Sequence, residues 1–308
     1  VGAAAAPRAI PRGLGLALVA GIAVLFASNH VAARLAFDHG TSVVTAVAVR
    51  SAVTALAVAA LLRATGTSWR LPAATRPRAL VIGLAIAVQS VCLYSSVARI
   101  PVALALLTFN SFPVVLALLS WATGGERPAR RTAIAMPVIL AGLVLALDVP
   151  GVLASGGRSL DDPARFAAGV GFGLGASLAF AVALLLTTRW MGAVDGRVRT
   201  VWSMGVVAAV AIAAGAATGG FAWPREVAGW WGLALLTVLY GCAFTSLFVV
   251  LPRLGAVNSA PAMNMEPIAS MVLAWALLGQ RIGPLQVAGG VLVVGAIVWT
   301  SLGPKAKG

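Results

Sequence analysis

An all-α integral membrane protein, with ten transmembrane helices in two inverted-topology repeats of five, is the fold that this sequence predicts. Three observations carry that expectation: a composition too apolar for a water-facing surface, apolar runs some twenty residues long, and an overlay of the chain on itself at half its length. An ordinary soluble domain has about 25% charged residues. This chain of 308 residues has 10% charged and 60% apolar, with mean hydropathy +0.99. A soluble enzyme, a nucleic-acid-binding domain and a disordered chain are excluded on that ground. Near-continuous apolar runs point to helices rather than a barrel, because only closed barrels or helices satisfy the backbone in lipid and barrel strands alternate.

Apolar runs broken by charge and turn clusters predict spans near 14–35, 42–62, 79–98, 101–122, 132–149, 166–188, 198–218, 228–251, 256–278 and 284–302. Connections such as Arg99-Ile100-Pro101 are short, so neighbouring helices form hairpins. The only long polar stretch runs from Asp148 to Arg165 and divides the chain into repeats at 1–154 and 155–308. Arg8 and Arg12 ahead of an apolar run resemble a signal peptide. The repeat instead uses that run as the counterpart of the sixth span, so it is expected to stay as the first.

The net charge of +14 is read as a topology signal. With the N-terminus cytoplasmic, fifteen of the 22 Lys and Arg fall on that side, six (Arg34, Arg99, Arg158, Arg165, Arg225 and Arg281) on the other, and Arg50 inside a span. The positive-inside rule therefore predicts a ten-span membrane protein with both termini cytoplasmic, and no nucleic-acid partner. The nine tryptophans fall at or near span ends, as anchors at headgroup level. Cys92 and Cys242 lie in apolar stretches without redox or metal spacing.

At an offset of 154, Arg99, Asn110, Pro113, Leu119, Trp121, Ala122, Gly125 and Arg127 meet Arg253, Asn264, Pro267, Leu273, Trp275, Ala276, Gly279 and Arg281. These are eight identities where this composition gives about three by chance. Five spans per half is an odd number, so the second copy enters the membrane from the opposite side. Many secondary transporters follow this plan, with the site where paired interruptions meet near the midplane. The paired interruptions here are Pro113 and Pro267, which remove a helical N–H and free the carbonyls of Phe109 and Met263. Asn110 and Asn264 place an amide three residues before each proline.

Glu266 is the one carboxylate predicted deep in a span, where a charge costs at least ~2.5 kcal/mol without a partner, water or a proton. Arg50 lies within a few ångströms of the same depth, at about 1.5 Å per residue. Either the two neutralise each other, or they line a cavity, Arg50 toward a carboxylate and Glu266 toward an ammonium group or a proton. Asn29 and His30 add a polar cluster to the first span, and a span histidine can relay protons. Gln89 and Tyr94 belong to an unusually polar third span; Phe112 and Phe180 offer apolar walls. The spacing Gly171-x-x-x-Gly175 predicts close helix contact. With no metal-ligand spacing, nucleophile motif or ATP-binding loop, no cofactor and no enzymatic activity are expected, and transport is gradient-driven or facilitative.

Met265-Glu266-Pro267-Ile268 followed by Leu277-Leu278-Gly279-Gln280-Arg281, with Ser111-Phe112-Pro113 followed by Gly124-Gly125-Glu126-Arg127 in the first half, resembles the EamA-like ten-helix exporters of the drug/metabolite transporter superfamily. The resemblance implies a basket-like bundle around a central cavity bounded by spans one to four and six to nine. It also implies a Glu at the end of such segments, which Glu126 keeps and Gln280 does not. The nearest-looking group exports aromatic and neutral amino acids, with cavity aromatics in the third, fourth and sixth spans. The matching positions here are Gln89, Asn110, Phe112 and Phe180, which implies broader or more polar substrates. The expected activity is export of amino acids or similar small metabolites by alternating access, in contact with the lipid bilayer and with a coupling proton left open. The alternatives are export of cationic drugs or other metabolites with protons at Glu266, or a non-transporting membrane scaffold.

Overall fold

The computed structural model describes residues 12–125, 130–146, 151, 162–254, 266–279 and 283–301, and these are helical throughout their regular parts. The first unit comprises α1 (Arg12–Asp38), α2 (Val43–Ala64), a 3-10 turn at Ala73–Thr75 leading into α3 (Arg76–Val97), α4 (Val102–Phe109), α5 (Phe112–Ala122) and α6 (Arg130–Ala146). The second comprises α7 (Pro163–Met191), α8 (Gly196–Thr218), α9 (Val227–Leu254), α10 (Glu266–Leu278) and α11 (Pro284–Ser301). Five of these stretches are long and apolar enough to cross a bilayer, α4 and α5 counting as one, and three further helices carry shorter apolar runs. Taken with α4 and α5 as one broken span, the helices form ten spans.

Helix ends are closed by side chains where lipid would leave them unmet. Ser42 caps α2 by accepting from the Thr45 N–H, Asp162 caps α7 and Asp195 caps α8, each with a carboxylate or hydroxyl at a first turn. The C-terminal end of α3 is closed more fully. The last four carbonyls, Tyr94 to Val97, accept from the Ala98 N–H, the Arg99 side chain, the Arg99 and Ile100 N–H groups, and the Arg34 side chain respectively. Arg165 reaches from α7 to the Ala98 carbonyl at 3.0 Å. Three of the six arginines on the less basic face thus act as cations at a helix C-terminus, which the helix dipole favours.

The packing has the symmetry that the sequence repeat predicts. α1 lies along α9 and, in the image of that pair, α7 along α3; α3 meets α8 as α9 meets α2; α1 meets α10 as α7 meets α4 and α5. The pairs that map onto themselves, α2 with α8, α4 with α10 and α6 with α11, run between the two units. Every buried stretch of one unit is therefore covered chiefly by the other. α4 is enclosed on all sides, with Val102 through Thr108 buried, and is the centre of the largest apolar cluster.

Small residues set how closely these helices approach. The sixth span does make a close glycine contact, but through Gly169 and Gly173 rather than Gly171 and Gly175. A Cβ on Gly173 would lie 2.8 Å from the Thr108 methyl, and one on Gly169 would meet the Ile100 side chain, whereas Gly171 faces open space. At the α1–α9 crossing a Cβ on Gly232 would lie 2.6 Å from the backbone nitrogen of Ala36. Gly232→Ala is expected to destabilise the bundle by about 1–3 kcal/mol through backbone overpacking. Gly171→Ala should be neutral or stabilising by up to about 1 kcal/mol from helix propensity. Thermal unfolding in detergent checks the pair; equal effects would contradict this packing.

Candidate functional site

The fourth span is interrupted where its proline stands, but the chain breaks the helix rather than bending it. α4 stops at Phe109, Asn110 and Ser111 form a turn, and Pro113 becomes the second residue of α5. In a first turn the missing N–H of proline costs nothing, because that group has no intrahelical acceptor. The Asn110 amide donates to the Leu106 carbonyl at 2.7 Å, and the Ser111 hydroxyl to the Thr108 carbonyl at 2.8 Å. Ser111 also bonds Ser177 on α7 at 2.9 Å. Asn110 therefore closes the end of α4, a capping task. α10 is described from Glu266 onward, and Glu266 and Pro267 are the repeat equivalents of Phe112 and Pro113 in α5. Asn264 and the freed carbonyl of Met263 lie outside the described residues.

Arg50 is only 3% exposed and forms no ion pair with a carboxylate among the described residues. The ion pairs among the described residues are His30–Glu266, Arg34–Asp38, His39–Glu226 and Arg197–Asp195. The guanidinium instead lies 3.8 Å from the centroid of the Tyr240 ring and 4.8 Å from that of Tyr94. It donates to the Ser90 hydroxyl at 3.0 Å and, at the limit of hydrogen bonding, to the Tyr94 hydroxyl at 3.5 Å. Tyr94 passes its own proton on to Asn29 Oδ1 at 3.0 Å. Two aromatic faces contribute about 2 kcal/mol each when desolvated, which offsets part of the burial cost of a cation.

Glu266 reaches the same layer from the other unit. Its Oε1 is 3.4 Å from His30 Nε2, an ion pair when the imidazole is protonated. Neutralisation of Glu266 by Arg50, open from the sequence, is not what the structure has. The two charges belong to adjacent clusters joined through Asn29 and His30 on α1, with the His30 ring edge-on to Tyr94 at 6.0 Å. Among the described residues Asn29 Nδ2, His30 Nδ1 and Arg50 Nε are buried without an acceptor or donor, as are the hydroxyls of Ser51 and Thr54 on α2. Buried polar atoms are ordinarily satisfied, so this layer retains hydrogen-bonding capacity that the fold does not use.

Of the remaining sequence candidates, Phe112 and Phe180 do meet, with ring centroids 4.9 Å apart and Phe109 completing the trio at 5.5 and 5.3 Å. Gln89 is half-buried and accepts a long bond from Ser90. Tyr240 and Phe109 were missed. A signal for Tyr240 existed: it lies mid-span rather than at the headgroup level, and it and Tyr94, the chain's two tyrosines, both stack on Arg50.

Two like units of five spans, packed as images of one another and enclosing a buried polar layer, define a multi-pass membrane bundle with an internal repeat. The EamA-like transporter family model matches residues 13–147 and again residues 167–302. The chain belongs to the EamA-like transporter family, and is a multi-pass membrane transporter of small molecules. No curated protein matches it in sequence. A solved structure, described as a crystal structure of a protein, is similar with 18% identity and TM-score 0.63, covering 93% of this chain and 96% of that chain. At that identity the likeness is one of fold.

The stacking on Arg50 has a measurable consequence. Tyr240→Phe keeps the ring and should retain most stability, whereas Tyr240→Leu removes it. A double-mutant cycle with Arg50→Met is expected to give a coupling of about 1–2 kcal/mol between the side chains. A coupling near zero in thermal or denaturant unfolding would mean that the rings merely pack.

Proposed function

We propose that this transporter exports amino acids or similar small metabolites across an inner membrane by alternating access, with both termini cytoplasmic and the repeats 1–154 and 155–308 rocking about the polar layer. The observation that carries the reading is the buried Arg50 guanidinium with aromatic neighbours and no carboxylate. A buried cation without an anion is costly, and a substrate carboxylate removes that cost only while bound. Glu266 and His30 supply the complementary site for an ammonium group, and Asn29 the neutral hydrogen bonds between them. The trio Phe109, Phe112 and Phe180, beside the broken fourth span, provides an apolar wall.

The contact between His30 and Glu266 favours a second reading of the same pair, as the place where a proton exchanges with a cationic substrate. A carboxylate that releases His30 on binding a cation, and recovers it on release, links substrate and proton without any further group. The orientation itself rests on the fifteen-to-six distribution of basic residues.

Counterflow into proteoliposomes with individual labelled amino acids tests the first reading, and flux equal to that of empty liposomes for every one would defeat it. Arg50→Gln is expected to raise the KM for carboxylate-bearing substrates about 10- to 100-fold, the worth of a charge-assisted hydrogen bond of about 1.5–3 kcal/mol. Glu266→Gln should reduce export about tenfold or more with expression intact. If Glu266→Gln instead abolishes only the pH-gradient dependence of flux, the proton reading stands in place of the ammonium one.

A further inference from the structure

A second site lies away from the polar layer, on the face where basic residues predominate. A groove of about 640 Å³ opens between α2 and α8, beneath the loop that joins α2 to α3. Its walls are Ala55, Leu56 and Ala59 of α2 and Val201, Gly205, Val206 and Ala209 of α8; its mouth is formed by Trp69, Arg70, Arg76 and Trp202. The volume is in the range of small-molecule sites, but its polarity is arranged along one axis, apolar at depth and cationic at the rim.

We propose that this groove holds an anionic phospholipid, one acyl chain along the α2–α8 seam and the phosphate between Arg70 and Arg76. The length fits. From Ala55 to the end of α2 at Ala64 is about 14 Å at about 1.5 Å per residue, close to the ~15 Å hydrocarbon depth of one leaflet, half of a ~30 Å core. The charge fits as well. Arg70 and Arg76 are exposed and form no ion pair among the described residues. Arg76 is oriented by a bond from its Nε to the Leu71 carbonyl at 3.2 Å, which leaves both terminal nitrogens for a phosphate. Arg63, Arg78, Arg197 and Arg199 stand on the same face, where the acid among the described residues is Asp195, already paired with Arg197 at 2.9 Å.

The rim is built rather than loose. The Trp202 indole N–H donates to the Trp69 carbonyl at 3.0 Å, tying the α2–α3 loop to α8, and Leu71 beside them is buried. Tryptophans at this level suit the interface between headgroups and hydrocarbon. α2 and α8 are repeat images of each other, and their seam lies between the two units. A lipid lodged in it bridges both units.

The test is the melting temperature of the purified full-length protein in mixed micelles containing phosphatidylglycerol or phosphatidylcholine of identical chains. The expected result is a stabilising shift several degrees larger with phosphatidylglycerol. Arg70→Gln combined with Arg76→Gln should remove at least half of that excess, while Arg78→Gln, on the same face outside the groove, should keep it. Gly205→Leu probes the apolar wall: a Cβ there meets nothing within 4 Å, so the bundle accommodates it while the side chain fills the groove. That variant should lose the lipid shift and keep its lipid-free melting temperature. Equal shifts with both lipids, a full shift in the double arginine variant, or the same shift from soluble glycerol phosphate would each overturn the proposal. A shift retained by Gly205→Leu would place the lipid elsewhere.

Discussion

In hydrocarbon there is no water to complete an unmet hydrogen bond, so every polar group in these spans must find its partner within the protein. At the C-terminal end of α3 each of the last four carbonyls is met by a named backbone or arginine donor. The break in the fourth span obeys it as well, because Asn110 and Ser111 return their side chains to carbonyls of the turn just ended. A broken helix at membrane depth is tolerable only when enclosed in protein, and α4 is buried on every side.

Against that background the polar layer between α1, α2, α3, α9 and α10 is the exception that carries meaning. Arg50, Asn29 and His30 lie together and retain buried polar atoms without partners among the described residues, as do Ser51 and Thr54 on the same helix as Arg50; Thr41 and Ser96 carry the other unmet hydroxyls. The cation is stabilised by quadrupoles of two rings, which attract charge without neutralising it. An acid in the same place would have formed a permanent pair and a site with nothing left to bind. Glu266 is kept apart by being given to His30, whose charge can change, rather than to Arg50, whose charge does not.

The two units contribute unequally to this layer although their helices pack as images. Phe112 and Glu266 are repeat equivalents, one apolar and one charged. Duplication supplied the geometry, and divergence at equivalent positions supplied the chemistry: an aromatic wall from one unit and a carboxylate from the other. Seams between the units, such as α2 with α8, are the surfaces that must slide if the halves rock, and the groove at the basic face lies in one of them.

Composition and hydropathy by themselves determined the class of fold, because a chain with so few charges has no other way to satisfy its backbone in lipid. The repeat at 154 residues was legible for the same kind of reason: Arg, Asn, Pro and Trp are rare in such a background, so their coincidences stand out. Which polar residues share a layer was legible only in part, from depth along each span. Depth does not say which way a side chain turns about its helix, and Arg50 and Glu266 at similar depth therefore looked like a pair. Only the tertiary packing decided that α9 brings Tyr240 over the guanidinium while α1 brings His30 to Glu266. It also turned Asn110 back onto α4, since a helix broken two residues before its proline needs a cap more than it needs a free amide.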